Sequence, residues 1–284
     1  MTYIVLTVIS ALFLSLYDFF KKVSVRNNKD VHVVLFFYTF VAFLLSIIYV
    51  DKAFSTDLKY IGFTLLKASV ISMSWFLTTK AVSKLDVGIV TPFSMLGTIF
   101  TTIFAWVLFN QAIGLVQIGG SLIILLGLIL LSRLQLKDKK ENNDYRYLIL
   151  LIVASFLSSI SAMIDKTVLS NGVHKGAVLF WFFFFLASIY FIVCLLRKKN
   201  IGYTNFKSNL WVVAVGASIF FADFFYYQAV GIDGVSLSII SIVRKLSVFI
   251  AVVLASVFLK EEHLLKKVLI LLLMFVGLSI IIFL

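Results

Sequence analysis

Ala81-Val82-Ser83-Lys84-Leu85-Asp86-Val87-Gly88 and Ala229-Val230-Gly231-Ile232-Asp233-Gly234-Val235 are two versions of one turn, each closing an apolar segment and opening the next. Working outward from them, Ala68-Ser69 before the first copy matches Ala217-Ser218 before the second. The segment 122–131, with Gly127, likewise matches 272–283, with Gly277. The separation stays at roughly 144 to 150 residues across ten apolar segments, so the second five repeat the first five. Five is odd, so the second copy enters the membrane from the opposite face. An inverted repeat is the signature of secondary transporters, which bind substrate at the repeat interface near the bilayer midplane.

Composition agrees. The chain is 62% hydrophobic and 13% charged, with a mean hydropathy of +1.11, against about 45–50% apolar for a soluble domain. Spans are expected near 3–21, 31–50, 58–80, 87–109, 112–132, 147–168, 177–196, 210–230, 235–259 and 264–284, each close to the ~20 residues that cross a bilayer. The fold class is all-α membrane protein, ten transmembrane helices as two inverted five-helix repeats, 1–132 and 147–284. The charged stretch 133–146 is read as a linker loop between them. The first segment has neither a basic residue before it nor a small-x-small site after it, so it does not read as a cleavable signal. Cys194 is the only cysteine, and His32, His174 and His263 fall at segment ends. No disulfide framework, metal site or cofactor is expected from them.

Lys and Arg gather in alternate connections. Eighteen lie in loops 1–2, 3–4, 5–6, 7–8 and 9–10 or at their edges, against four on the other face. The positive-inside rule puts the basic face in the cytoplasm and both termini outside. That basic face reads as topology and anionic-lipid contact, and no nucleic-acid module accompanies it. Asp233 and Ser236 read as N-cap groups of the ninth span. Pro92, the only proline, is read as lying in the first turn of the fourth span, where it costs little. The run Phe180-Trp181-Phe182-Phe183-Phe184-Phe185 reads as lipid-facing and interfacial. Gly114, Gly119, Gly120 and Gly127 read as a close-packing edge.

The second half reads Tyr226-Tyr227-Gln228-Ala229-Val230, a turn, a long apolar helix, Lys260-Glu261-Glu262, and a closing helix with Gly277. Together with Ala81-Val82 and Gly127 in the first half, this resembles the EamA-type repeat of the drug/metabolite transporter superfamily. The resemblance implies a monomer or homodimer of ten helices. It also implies a central cavity lined mainly by spans 1, 3, 4, 6, 8 and 9, and movement of small metabolites. Three features depart from the pattern. Asn110-Gln111 stands where an acidic residue is usual, and Arg244-Lys245 interrupts the ninth span. The family habit of cytoplasmic termini also opposes the charge bias of this chain.

Charges inside the spans mark the candidate site, because a central Lys or Arg costs about 2.5–3.5 kcal/mol on insertion scales. Arg244 and Lys245 lie well inside the ninth span, with Ser241 and Ser247 nearby. A guanidinium fork matches carboxylate and phosphate geometry, so the functional reading is anion binding. The structural reading is an ion pair with Asp18, Asp165 or Asp223. The pair is also similar to the phosphate-binding pair of sugar-phosphate transporters. Lys67 shares a helical stripe with Ser74 and Thr78. Asp18 and Asp165 end polar stripes beside Lys21, Lys22 and Lys166, and are read as interfacial caps and ion pairs. Asp223 lies deeper, as a counter-ion to Arg244 or a carrier of a coupling proton. Trp75, Phe76, Phe224, Tyr226 and Tyr227 are placed to line a cavity.

The function expected is a secondary transporter moving a small anionic or zwitterionic metabolite by alternating access. Arg244, Lys245, Lys67, Ser74, Ser241, Trp75 and Tyr227 would bind the substrate, with Asp223, Asp18 and Asp165 as coupling or counter-ion groups. A flippase for a phospho-lipid-linked head group is the alternative within transport. A non-transporting receptor or scaffold is the alternative outside it. The chain shows no HExxH, no GxGD aspartate pair and no Cys or His nucleophile system, so no catalytic residues are assigned and an enzyme is not expected. The partners expected are a small molecule and the lipid bilayer, with the chain placed as a multi-pass protein of the plasma (inner) membrane.

Overall fold

A computed structural model describes residues 2–27, 30–109, 114–138, 144–202, 210–230, 232 and 237–283. Among the described residues all regular structure is helical. The first span is α1 (Thr2–Asn27). The second is α2 (Val31–Ser46), continued through a 3-10 turn (Ile47–Tyr49) into α3 (Val50–Phe54). The third is α4 (Leu58–Val82). The fourth is broken into α5 (Val87–Val90), a 3-10 turn (Thr91–Met95) and α6 (Leu96–Phe109). Then follow α7 (Leu115–Asp138), α8 (Asp144–Ser170), α9 (Lys175–Leu196), α10 (Trp211–Val230), α11 (Leu237–Phe258) and α12 (Leu264–Phe283). Nine helices among the described residues are long and apolar enough to cross a membrane. The 22-residue α11, whose only charges are Arg244 and Lys245, makes the tenth span.

The helices form because long Leu, Ile, Val and Phe runs satisfy every backbone group internally, as the bilayer requires. Their ends are fixed locally. Asp30 accepts the His32 N–H at 3.0 Å to start α2, and His174 Nδ1 accepts the Gly176 N–H at 3.2 Å to start α9.

The packing carries the repeat. α1 lies against α10 and α11, while α8 lies against α4 and α6. α2 contacts α10, while α9 contacts α4. Exchanging each span for the one five further on turns each of these pairings into another of them. The pairs α2–α9 and α7–α12 map onto themselves, as elements on a pseudo-two-fold axis must. At α7–α12 the backbones touch: a Cβ on Gly120 would fall 2.6 Å from the Gly277 carbonyl oxygen, and one on Gly277 2.7 Å from that of Gly120.

Three expectations are corrected. The described residues of 133–146, namely 133–138 and 144–146, are helix, because α7 runs to Asp138 and α8 starts at Asp144. Nothing in Arg133–Asp138 breaks a helix, and charged residues extend α7 past the apolar stretch. Pro92 is not harmless. Lying five residues after Val87, it removes an N–H that an α-helix would use, and the chain turns 3-10 there. In the aromatic run, Phe180, Phe182 and Phe183 are buried, because α9 packs behind α2 and α4. Asp233 and Ser236 lie outside the described residues, as do Asn110 and Gln111. At the equivalent Asp86 turn the capping acceptor comes from the other half. Glu261 takes the Val87 N–H at 2.6 Å and the Gly88 N–H at 3.0 Å, and also pairs with buried Lys267 at 3.1 Å.

Candidate substrate cavity

Between the two halves lies a cavity of about 470 Å³. Its walls come from α1, α4, the broken fourth span, α8, α10 and α11, with Phe182 from α9. These are spans 1, 3, 4, 6, 8 and 9, as the resemblance implied. Small and hydroxylated residues open the space: Ser155, Ser158, Ser159, Ser161 and Ala162 face it from α8, and Gly97, Thr98 and Thr101 from α6.

The charges fall into three groups. Asp18 holds Lys21 at 2.9 Å, one helical turn away, and the Lys21 Nζ stands 4.1 Å from the centre of the Tyr17 ring. This is the local pair expected of Asp18. Lys22 takes another course, donating to the carbonyl oxygens of Val82 and Leu85 at 2.7 Å each, and so ties α1 to the end of α4.

The second group makes Asp165 a counter-ion to a lysine of another helix. Lys67 Nζ donates to Asp165 Oδ1 at 2.6 Å and to the Tyr227 hydroxyl at 2.9 Å. The Tyr227 hydroxyl donates to the same Oδ1 at 3.2 Å. Lys67 is 4% exposed and covered by the Phe182 ring, 4.0 Å from its Nζ. The burial of a primary ammonium is thus offset by a carboxylate, a hydroxyl and a ring face.

The third group holds the two cations of α11. Arg244 Nη2 donates to Asp223 Oδ1 at 2.5 Å, and its guanidinium lies 4.1 Å from the centre of the Tyr226 ring. Arg244 Nε is buried with no hydrogen-bond partner among the described residues. Lys245, turned about 100° further round the helix, meets no carboxylate among the described residues. Its Nζ donates to the Ser94 carbonyl at 2.9 Å and to the Ser94 hydroxyl at 3.2 Å. Among the described residues lining the cavity, Lys245 is the cation without an anionic partner. The Pro92 break builds its seat, and the neighbouring Phe93 carbonyl accepts the Ser155 hydroxyl at 2.8 Å.

Of the other sequence candidates, Ser74 lines the cavity but is occupied by α8, bonding the Ala154 carbonyl and the Ser158 hydroxyl at 2.8 Å each. Trp75 also lines it, braced by Tyr17, Tyr38 and Phe182 with ring centres 5.7 to 6.0 Å away. The side chain of Ser241 lies outside the described residues. Phe76 and Phe224 are not in the wall. Phe76 stacks on His32 with ring centres 4.8 Å apart. Sequence reasoning missed Ser94 and Phe182. Pro92 was the signal for Ser94, since a proline deep in a span frees nearby backbone for side-chain contacts. Nothing local singled out Phe182 within its aromatic run.

The model of the EamA-like transporter family matches the sequence twice, over residues 1–133 and 145–283. No curated protein matches it. Solved structures carry the same fold. One, described only as the crystal structure of a protein, superposes with a TM-score of 0.66 at 12% identity, over 97% of this chain and 95% of its own.

Proposed function

Because this chain belongs to the EamA-like transporter family, a family of membrane transporters, we propose that it moves a small anionic or zwitterionic metabolite by alternating access of its two halves. The observation that carries the substrate charge is Lys245. Lys21, Lys67 and Arg244 each have a carboxylate at salt-bridge distance, whereas among the described residues Lys245 has the oxygens of Ser94 and no carboxylate. The cavity therefore holds an excess positive charge among hydroxyl groups, which favours a carboxylate or phosphate. Arg244, clamped by Asp223, holds α11 to α10 and shapes the wall beside that cation. Asp165 and Asp223 are the carboxylates available to a coupling proton.

The test is uptake into proteoliposomes from a panel of carboxylates, phosphates, amino acids, neutral sugars and organic cations. Uptake confined to the anions and zwitterions is expected, and Lys245→Gln should lower it at least tenfold with the thermal midpoint in detergent unchanged. Transport of neutral sugars or cations alone, or full activity of Lys245→Gln, would remove the anion reading.

A further inference from the structure

A second cavity of about 520 Å³ opens on the opposite side of Tyr227. It is built from the turn Gly172, Val173 and His174 between α8 and α9, from Tyr49, and from the last turns of α10. This is the face on which α1 begins and α8 and α10 end. Helix α10 separates the two spaces. Asp223 and Tyr226 face the central cavity, and Phe224 and Gln228 face the vestibule. Tyr227 lines both, and among the described residues no other residue does. Tyr227, 3% exposed, is thus the one described residue common to the walls of two spaces that each hold several waters' worth of volume.

That ring is pinned. Its hydroxyl is bonded to Lys67 of α4 and Asp165 of α8, and those two are bonded to each other. The three members come from three helices and from both halves of the repeat, so a shift of one half against the other must stretch the triangle. The Asp223–Arg244 pair stands on the central-cavity side. The fourth span, which also packs on α8, carries no titratable side chain between Thr91 and Phe109.

We propose that Tyr227 is the gate between the central cavity and this vestibule, and that the Lys67–Asp165 ion pair is its latch. The ring closes the path sterically, and the two bonds to its hydroxyl hold it across the opening. The proposal rests on the transport reading, because it takes the two cavities as ends of one route. Its test needs no substrate, so it fails independently of the substrate-charge reading.

Cys194 is buried and is replaced by alanine to give a background without cysteine. Ser158→Cys then reports the central cavity and Val173→Cys the vestibule, each titrated with a membrane-impermeant maleimide in vesicles of defined orientation. From the face that labels Val173→Cys, Ser158→Cys should react slowly while Tyr227 is present. Tyr227→Ala should raise that rate at least tenfold. Tyr227→Phe, which keeps the ring and removes only the hydroxyl, and Asp165→Asn should each raise it about threefold. Unchanged Val173→Cys labelling and monodisperse elution control for folding. If Tyr227→Ala does not fold, Tyr227→Leu, which removes the ring but keeps an apolar side chain, takes its place. No acceleration in any of the folded variants would overturn the gate. Acceleration by Tyr227→Ala with none from Tyr227→Phe or Asp165→Asn would overturn the latch.

Discussion

Arg244 and Asp223 lie 2.5 Å apart on neighbouring helices, and each is costly without the other. Arg244→Ala and Asp223→Ala should each lower the thermal midpoint in detergent by roughly 5 °C and reduce transport, because a half-buried charge is left unpaired. The double substitution should recover most of both losses. A double mutant as stable as the native chain yet inactive would instead make Arg244 a substrate ligand. Sequence could nominate these residues but could not pair them all. Asp18 and Lys21 stand three apart on one helix, so their contact follows from helical spacing. Lys67 and Asp165 are separated by 98 residues, and no periodicity connects positions on helices whose packing is unknown. Lys245 and Ser94, 151 residues apart, are the same case.

Elements show the same division between local and tertiary information. The glycines of the fifth segment mark close packing, and the structure resolves which of them matter. Gly120→Leu should prevent α7 from seating on α12 and abolish the monodisperse species in size-exclusion chromatography, whereas Gly119→Ala, with nothing within 4 Å, should leave it intact. Equal behaviour of the two variants would contradict the α7–α12 contact. The break at Pro92 was harder to read, because its effect depends on where the helix starts, and boundaries are the least certain part of a sequence reading. The cap of α2 makes a pH prediction. Burial raises the Asp30 carboxyl, but the hydrogen bond and charge of Lys199, with the His32 and Val33 N–H groups, outweigh it and hold the carboxyl below its ordinary 3.8. A carboxyl depressed in the folded state adds stability at and above its unfolded value, and loses it as pH falls through the folded one. The midpoint gap between the native chain and Asp30→Asn should therefore close as pH falls below about 4. A gap that persists at pH 3 would contradict this.

At the scale of the molecule, the duplicated pattern carried the architecture, since a repeat of odd span number has one way to cross a bilayer twice. Charge bias in the loops predicts external termini. A C-terminal reporter should be active outside the cytoplasm, and activity only inside it would reverse the assignment. The interleaving of the halves was not legible, because it depends on which apolar faces meet, and nearly every face here is apolar. That interleaving has a consequence for synthesis. Arg244 enters the bilayer 21 residues after its partner Asp223, which is already in place. Lys67 enters 98 residues before Asp165 exists. At about 5–20 residues per second, the ribosome needs on the order of 5–20 s to supply the missing carboxylate. For that time α4 is a membrane helix with an unneutralised ammonium, and something other than its final neighbours must shelter it. Retention of the nascent first half at the insertion site until α8 emerges is therefore the expected course, and a chain truncated before Asp165 should show Lys67 accessible to an aqueous amine reagent that the full chain excludes.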